Sequence, residues 1–303
     1  MLTILDIQEN TSMDEIEKII SRYEETYVGD SLRTLDDINK FTGTFVKDVA
    51  EIYDCITRIR NISRNPTGFN LEDAPILGLL TRIWKLLKEI VTYYEKDNAE
   101  IISILERPLI EAAVTAEYLL MSDSDVIEDY RKCSYKDRLR ILRELKGGSR
   151  FFETKAGKRL LKSVQEKMEL EGFSEDDFKI QKKNRWKLQG KTFFDIFGEI
   201  TDEELYKYTY GMMSESIHGS WNESMDWCLQ KNEDSTFSVY PFYHGADVRY
   251  ICPTLKFCNE SYRLWLKRID CYDENMINVL DWIERVNTRI FMIFDQKYDG
   301  PNG

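Results

Sequence analysis

Along most of the chain, apolar residues recur three and four positions apart, the spacing that gathers them on one face of an α-helix. Ser12 and Glu15 match a capping box, and Ile16, Ile19, Ile20, Tyr23 and Tyr27 follow at helical spacing up to a stop at Gly29-Asp30. A longer stripe, opened by Asp30 or Ser31, runs Leu35, Ile38, Phe41, Phe45, Val49, Ile52, Tyr53, Ile56 and Ile59 before the loop Asn65-Pro66-Thr67-Gly68. Asp73 as a cap and Pro75 in a first turn predict a third helix, with Ile76, Leu79, Leu80, Ile83, Trp84, Leu87, Ile90 and Tyr94 inward. From about Asn98 to Met121 the chain is apolar on nearly every face, which predicts a central, buried helix. Pro108 lies within it and predicts a kink or a division there, because proline lacks the N–H that the helix ladder needs.

Past that point the pattern becomes more polar. Ser122–Asp125 reads as a turn and cap, followed by a basic helix to about Lys146 that Gly147-Gly148 closes. One helix is predicted over 155–170, with shorter pieces near Ser174 and Thr192. Thr201 with Glu204 forms a second capping box, starting a helix through Tyr206, Tyr210, Met213 and Ile217 to His218-Gly219. Residues 231–247 are the longest non-helical stretch, and Thr236–Tyr240 within it fits a short strand or an extended lid. Two long helices, 248–271 and 274–295, precede a frayed tail at 299–303. The prediction is an all-α, multi-helix bundle of about eight to ten helices, with one irregular loop or short β excursion near 231–247. An N-terminal helical region (1–96), a core helical domain (97–230) and a loop with a closing helical pair (231–303) are expected to form one compact unit.

Composition narrows the class. Hydrophobic residues are 42% and aromatics 13% of the 303 residues, far too many for a disordered chain. Only 15 Gly and 6 Pro punctuate it, which argues against many tight turns and so against a many-stranded fold. No apolar run reaches the length of a membrane span, and the opening MLTILDIQENTSMDEIEK has no basic region followed by an apolar one. Cys55, Cys133, Cys228, Cys252, Cys258 and Cys271 form no C-x-x-C pair, so a reducing, cytoplasmic setting is expected, with no membrane partner, no metal and no cofactor. The net charge of −12 opposes nucleic-acid binding by the chain as a whole. Residues 131–191 are the exception, carrying 19 Lys+Arg against 9 Asp+Glu. Such a run is either a solvated helical face or a landing surface for RNA, a nucleotide or an acidic protein partner.

Two constellations carry candidate chemistry. Arg107-x-x-x-Glu111 sets opposite charges one turn apart in the most apolar helix, where a pair is expected to be buried and either structural or substrate-holding. Tyr210-x-x-x-Ser214-x-x-x-His218 aligns a phenol, a hydroxyl and an imidazole on one helical face, groups that move protons near neutral pH. If the two helices face each other, Arg107 neutralises a phosphate or carboxylate, His218 acts as base or acid, and Glu111 orients the imidazole. The competing reading makes His218 a core residue satisfied by Glu111 or a backbone carbonyl. For nucleic-acid contact, Lys182, Lys183, Arg185, Trp186 and Lys187 form the densest basic-aromatic cluster, and Arg131 and Arg138 add cations beside Tyr130 and Tyr135. His244, in the stretch Tyr240-Pro241-Phe242-Tyr243-His244-Gly245, is a lid candidate or a solvated loop residue.

On Arg107, Glu111, Tyr210, Ser214 and His218 the chain resembles a family of bacterial helical domains of unknown function, over about residues 95–230. That resemblance brings no activity. The arrangement is also loosely similar to the HEPN helical domains, many of which are ribonucleases in toxin and phage-defence systems. Their motif has an Arg shortly before a His, whereas here the nearest upstream cation to His218 is Lys207 and to His244 is Lys231. HEPN-type chemistry would therefore borrow Arg107 from another helix. Two functions follow as expectations. One is a bacterial defence or toxin-type effector acting on RNA or a nucleotide through a metal-free Arg/Glu/His site. The other is a non-catalytic helical module for a partner protein, a second copy or a regulatory ligand, with the same residues as a sealed polar network.

Overall fold

The computed structural model describes residues 4–24, 32–178 and 187–298. In chain order the α-helices are α1 (Ile4–Glu24), α2 (Leu35–Arg58), α3 (Ala74–Tyr94), α4 (Ala99–Leu120), α5 (Ser124–Cys133), α6 (Lys136–Lys146), α7 (Lys155–Glu171), α8 (Phe193–Ile200), α9 (Glu203–Tyr206), α10 (Met213–His218), α11 (Trp221–Trp227), α12 (Cys252–Arg268) and α13 (Glu274–Tyr298). A two-stranded antiparallel ribbon, β1 (Leu229–Lys231) with β2 (Phe237–Val239), is the one sheet among the described residues. The all-α class and the short β excursion are as the pattern predicts. The helices outnumber the prediction because residues 193–227 break into short pieces, α8 to α11.

The chain divides into two compact units, Met1–Met121 with Phe197–Gly303, and Ser122–Ile196, boundaries that differ from the three regions read off the sequence. In the first unit, α2 buries Ile38, Phe45, Val49, Ile52, Tyr53 and Ile56 in one stripe, and α3 buries Ile76, Leu80, Ile83, Leu87 and Ile90. Helix α4 is in contact with α3, α12 and α10, the central place its all-round apolarity predicts. Pro108 does not divide it: α4 runs unbroken from Ala99 to Leu120. The unit's polar contacts cross great sequence distances. Tyr53 stacks on Tyr262 at 3.9 Å and donates to Asn259 Oδ1 at 3.2 Å, while Tyr262 donates to the Leu80 carbonyl at 2.8 Å.

Cap chemistry corrects several predicted boundaries. Ser12 lies inside α1, so no helix starts there. Thr34, not Asp30 or Ser31, opens α2: its hydroxyl accepts from the Asp37 amide at 3.1 Å, and Asp37 accepts from the Thr34 amide at 2.9 Å. Gly29, Asp30, Ser31 and the 299–303 tail lie outside the described residues. Asp73 precedes α3 without a capping bond, because its carboxylate is fully buried and engaged by Arg268 at 2.6 Å and Arg64 at 3.4 Å. The basic helix predicted up to Lys146 is two helices, α5 and α6. Asp202 rather than Thr201 caps α9, accepting from the Glu204 amide.

The second unit builds a small core of its own from Tyr135, Leu142, Val164 and Met168, against which Ile141, Leu161 and Phe173 pack. The Cys133 thiol donates to the Lys187 carbonyl at 2.9 Å, and the Gln189 amide donates to Asp129 at 2.6 Å.

Candidate functional site

Arg107 and Glu111 project from one face of α4, as a spacing of four requires. The segment facing them is not a plain α-helix. After α9, residues Lys207–Gly211 form a π turn, and only then does α10 begin. A π turn admits one more residue per turn, and such bulges recur at functional sites. Here it seats Tyr210, which is 5% exposed, between the Phe197 and Tyr206 rings at 6.4 and 5.3 Å.

The two motifs meet at Tyr210. The Arg107 guanidinium lies 4.5 Å from the centre of its ring, a cation–π contact, and the phenol donates to Glu111 Oε2 at 3.1 Å. Burial first, and the Glu111 charge second, push the phenol up to about 12 against the pull of Arg107. The phenol therefore stays protonated at neutral pH and acts as a donor. The expected buried Arg–Glu pair is not what forms. Glu111 is exposed, Arg107 is half-buried, and no ion pair joins them; the phenol bridges the two instead. Among the described residues the buried Nη1 of Arg107 has no hydrogen-bond partner.

The remainder of the second motif is more dispersed. The Ser214 hydroxyl donates to the Tyr210 carbonyl at 3.2 Å, turning back on its own helix. His218 is exposed at the end of α10, where Gly219 leaves the helix at φ 59°. Eight residues separate it from Tyr210, a rise of about 12 Å along a helix. Among the described residues the imidazole makes no hydrogen bond, and Glu111 serves Tyr210. Neither the sealed-core reading of His218 nor its orientation by Glu111 holds.

His244 is no solvated loop tip. Its ring packs against Trp227 at 5.2 Å and Tyr240 at 4.8 Å, and its carbonyl accepts from the Ala99 amide at 3.0 Å. Asp97 holds the adjoining Ala246 amide at 2.7 Å, so this stretch is tied to the start of α4. In the second unit, Arg131 is 13% exposed, held by Glu171 at 2.8 Å and set over Phe173. Arg131 is thus a core strut and no open phosphate contact. Along the same unit, Lys132–Glu128, Arg140–Glu144 and Lys162–Glu166 pair one turn apart, as on a solvated face. Lys182, Lys183, Arg185, Trp186 and the Arg138 side chain lie outside the described residues, and Lys187 is half-buried.

Sequence reasoning passed over two carboxyls on α4, one buried and one half-buried. Glu106 is 6% exposed, with the Thr254 hydroxyl donating to it at 3.0 Å, and burial pushes it up to about 8. Glu117 is pushed up to about 7 by burial and by Glu260. An acid inside an all-round apolar helix was the signal available for both. Among the described residues, no three His, Cys, Asp or Glu side chains stand together as a metal site would require.

No curated protein and no solved structure matches the chain. A family model described as a family of unknown function, DUF5677, matches residues 73–236, more than half of the chain and a span that includes Arg107, Glu111, Tyr210, Ser214 and His218. The protein belongs to the DUF5677 family of unknown function.

Proposed function

We propose that the face formed by α4 and the segment 207–218 binds a phosphate of RNA or of a nucleotide and promotes its metal-free cleavage, in a bacterial defence or toxin-type effector. The observation that carries this reading is Arg107, whose buried Nη1 lacks an acceptor beside an open carboxylate. A buried donor left unpaired costs about 1–3 kcal/mol, and a phosphate oxygen that meets the half-buried guanidinium as its side chain turns outward would relieve it. The Tyr210 ring, 4.5 Å from the guanidinium, holds that cation in place for a phosphate of the bound strand. With a rise of about 12 Å between Tyr210 and His218, Arg107 holds a neighbouring phosphate of the strand while His218 meets the reacting 2′-hydroxyl, so a contact between His218 and Glu111 is not required.

In RNA the chemistry balances without a cofactor. His218 accepts the 2′-hydroxyl proton, the 2′-oxygen bonds to phosphorus, and the bond to the 5′-oxygen breaks. That oxygen takes a proton from water, and His218 passes its own to the hydroxide so formed, leaving a 2′,3′-cyclic phosphate and a 5′-hydroxyl end. By charge alone, the basic run at 131–191 attracts RNA to the protein.

The test is end-labelled RNA in excess chelator, with wild type, His218→Ala and a melting curve for each. Cleavage by wild type to 2′,3′-cyclic ends, lost by at least 100-fold (about the contribution of a general base) in a normally melting His218→Ala, is the expected outcome. Equal cleavage by both proteins, or none by wild type, removes the proposal. The second reading, a module for a regulatory ligand or protein, would then remain, favoured by the exposed apolar side chains Tyr208, Met212 and Ile217 on the same segment and Trp221 just after it.

A further inference from the structure

The β1–β2 ribbon pairs Leu229 with Val239, Gln230 with Ser238 and Lys231 with Phe237. Just beyond the strands, the Tyr240 amide donates to the Cys228 carbonyl at 2.8 Å and the Asn232 amide to the Thr236 carbonyl at 2.9 Å. Bonded and non-bonded pairs alternate along an antiparallel ladder. Gln230–Ser238 is therefore the bonded pair, and the N–H and C=O groups of Phe237 and Val239 turn away from β1. Among the described residues those outward groups have no hydrogen-bond partner. All of β2 is exposed, Val239 at 77%.

A bare strand edge is a template for another strand, and the side chains and charges here select which. Phe237 and Val239 share one face of the ribbon, where the Trp221 ring meets Phe237 edge-on at 5.7 Å. On the other face Asn232 donates to Thr236 and Ser238. The surrounding segment 201–247 carries nine Asp+Glu against two Lys, so most of it repels a second copy of itself. The stretch 235–243 carries no charge at all. Two copies of β2 run antiparallel about Ser238 bring Phe237 opposite Val239 twice. That register also sets Asp234 opposite Phe242 and Glu233 opposite Tyr243, so no two acids meet.

We propose that the outer edge of β2 pairs with the same edge of a second copy of this chain, giving a four-stranded antiparallel sheet with a two-fold axis at Ser238. Phe237 and Val239 then exchange backbone hydrogen bonds across the axis, and Trp221, Phe237 and Val239 of both copies make one apolar strip. An edge this short buries less than the roughly 1,200–2,000 Å2 of a stable complex, so the dimer is reversible and depends on concentration. The proposal does not depend on any activity at Tyr210 or His218.

Val239→Pro removes an N–H that the ribbon itself does not use, and proline is tolerated where a strand's N–H faces solvent. Sedimentation velocity on the full chain, from micromolar to millimolar, should show a monomer–dimer equilibrium for wild type. Val239→Pro should weaken it by about tenfold or more, the loss that follows from two unmade hydrogen bonds. Lys231→Pro, the same change on the outer edge of β1, should leave it as it is. Cross-linking decides if either proline variant does not fold. Ser238→Cys, with the exposed Cys228 changed to Ser, meets its own copy as a non-bonded pair with Cα atoms about 4.5 Å apart, within reach of a disulfide. Oxidised glutathione should convert that variant to a covalent dimer, and should not do so for Gln230→Cys in the same background. A wild type that stays monomeric throughout, weakening by Lys231→Pro equal to that by Val239→Pro, or equal cross-linking at 238 and 230 overturns the proposal.

Discussion

Tyr210 is where the two sequence motifs become one site, and Arg107 is the residue whose energetics separate the readings of it. The spacing of four in each motif was legible, since helical geometry alone puts Arg107 with Glu111 and Tyr210 with Ser214 on a face. What joins them was not, because nothing in the spacing says that a phenol rather than an ion pair would mediate. A structural Arg would be fully bonded, whereas among the described residues Arg107 keeps a buried donor without an acceptor. Replacing such a group by an apolar side chain of similar length removes a desolvation cost at the loss of a cation–π contact. Arg107→Met should therefore change unfolding stability by less than about 1 kcal/mol, read as a urea midpoint, while abolishing any phosphate binding. A destabilisation of several kcal/mol would make Arg107 a strut of the fold and would count against an anion site.

At the scale of the element, α4 holds the molecule's most unusual electrostatics. Its apolar periodicity was plain in the sequence, and so was its central place. The bounds of other helices were less so, because neighbouring Ser, Thr and Asp compete for the same capping role and the winner is chosen by tertiary fit: Thr34 over Ser31, Asp202 over Thr201. The π turn at 207–211 was illegible for a related reason, as one extra residue in a turn leaves the apolar spacing nearly intact. On α4, Glu106 stands deep in the first unit with one hydroxyl for company. Its folded carboxyl is pushed up to about 8, above its unfolded value, so the folded state holds a proton that the unfolded chain has lost. Stability from this group is therefore fully present below the unfolded value and is lost as pH rises through about 8. Glu106→Gln keeps an acceptor for Thr254 and cannot ionise. Its stability relative to wild type should climb by a few kcal/mol between about pH 5 and pH 8 and then level off. Parallel urea midpoints for the two proteins across that range would show that Glu106 titrates as an ordinary carboxyl.

At the scale of the whole molecule, the first unit is assembled from two stretches of chain that lie on either side of the second. Sequence reading placed the helices in order and expected the last pair to close the core, but not which residues would meet there, since pairing across about 200 residues leaves no local trace. The bonds that close this unit are buried and polar: Tyr53 to Asn259, Tyr262 to Leu80, and Arg268 to Asp73. The last is the most consequential, because the Asp73 carboxylate has no exposed surface and two guanidinium groups answer it. A buried ion pair adds little over an apolar substitute, yet removing one partner strands the other's charge. Asp73→Ala should thus cost about 3 kcal/mol, leaving the partly exposed Arg268 and Arg64 without their shared carboxylate. Arg268→Leu in the same chain should return part of that loss, so the double variant is more stable than the sum of the singles implies. Strict additivity in urea titrations of the four proteins would mean that α3 and the end of α12 are held together by packing alone, with the carboxylate a passenger.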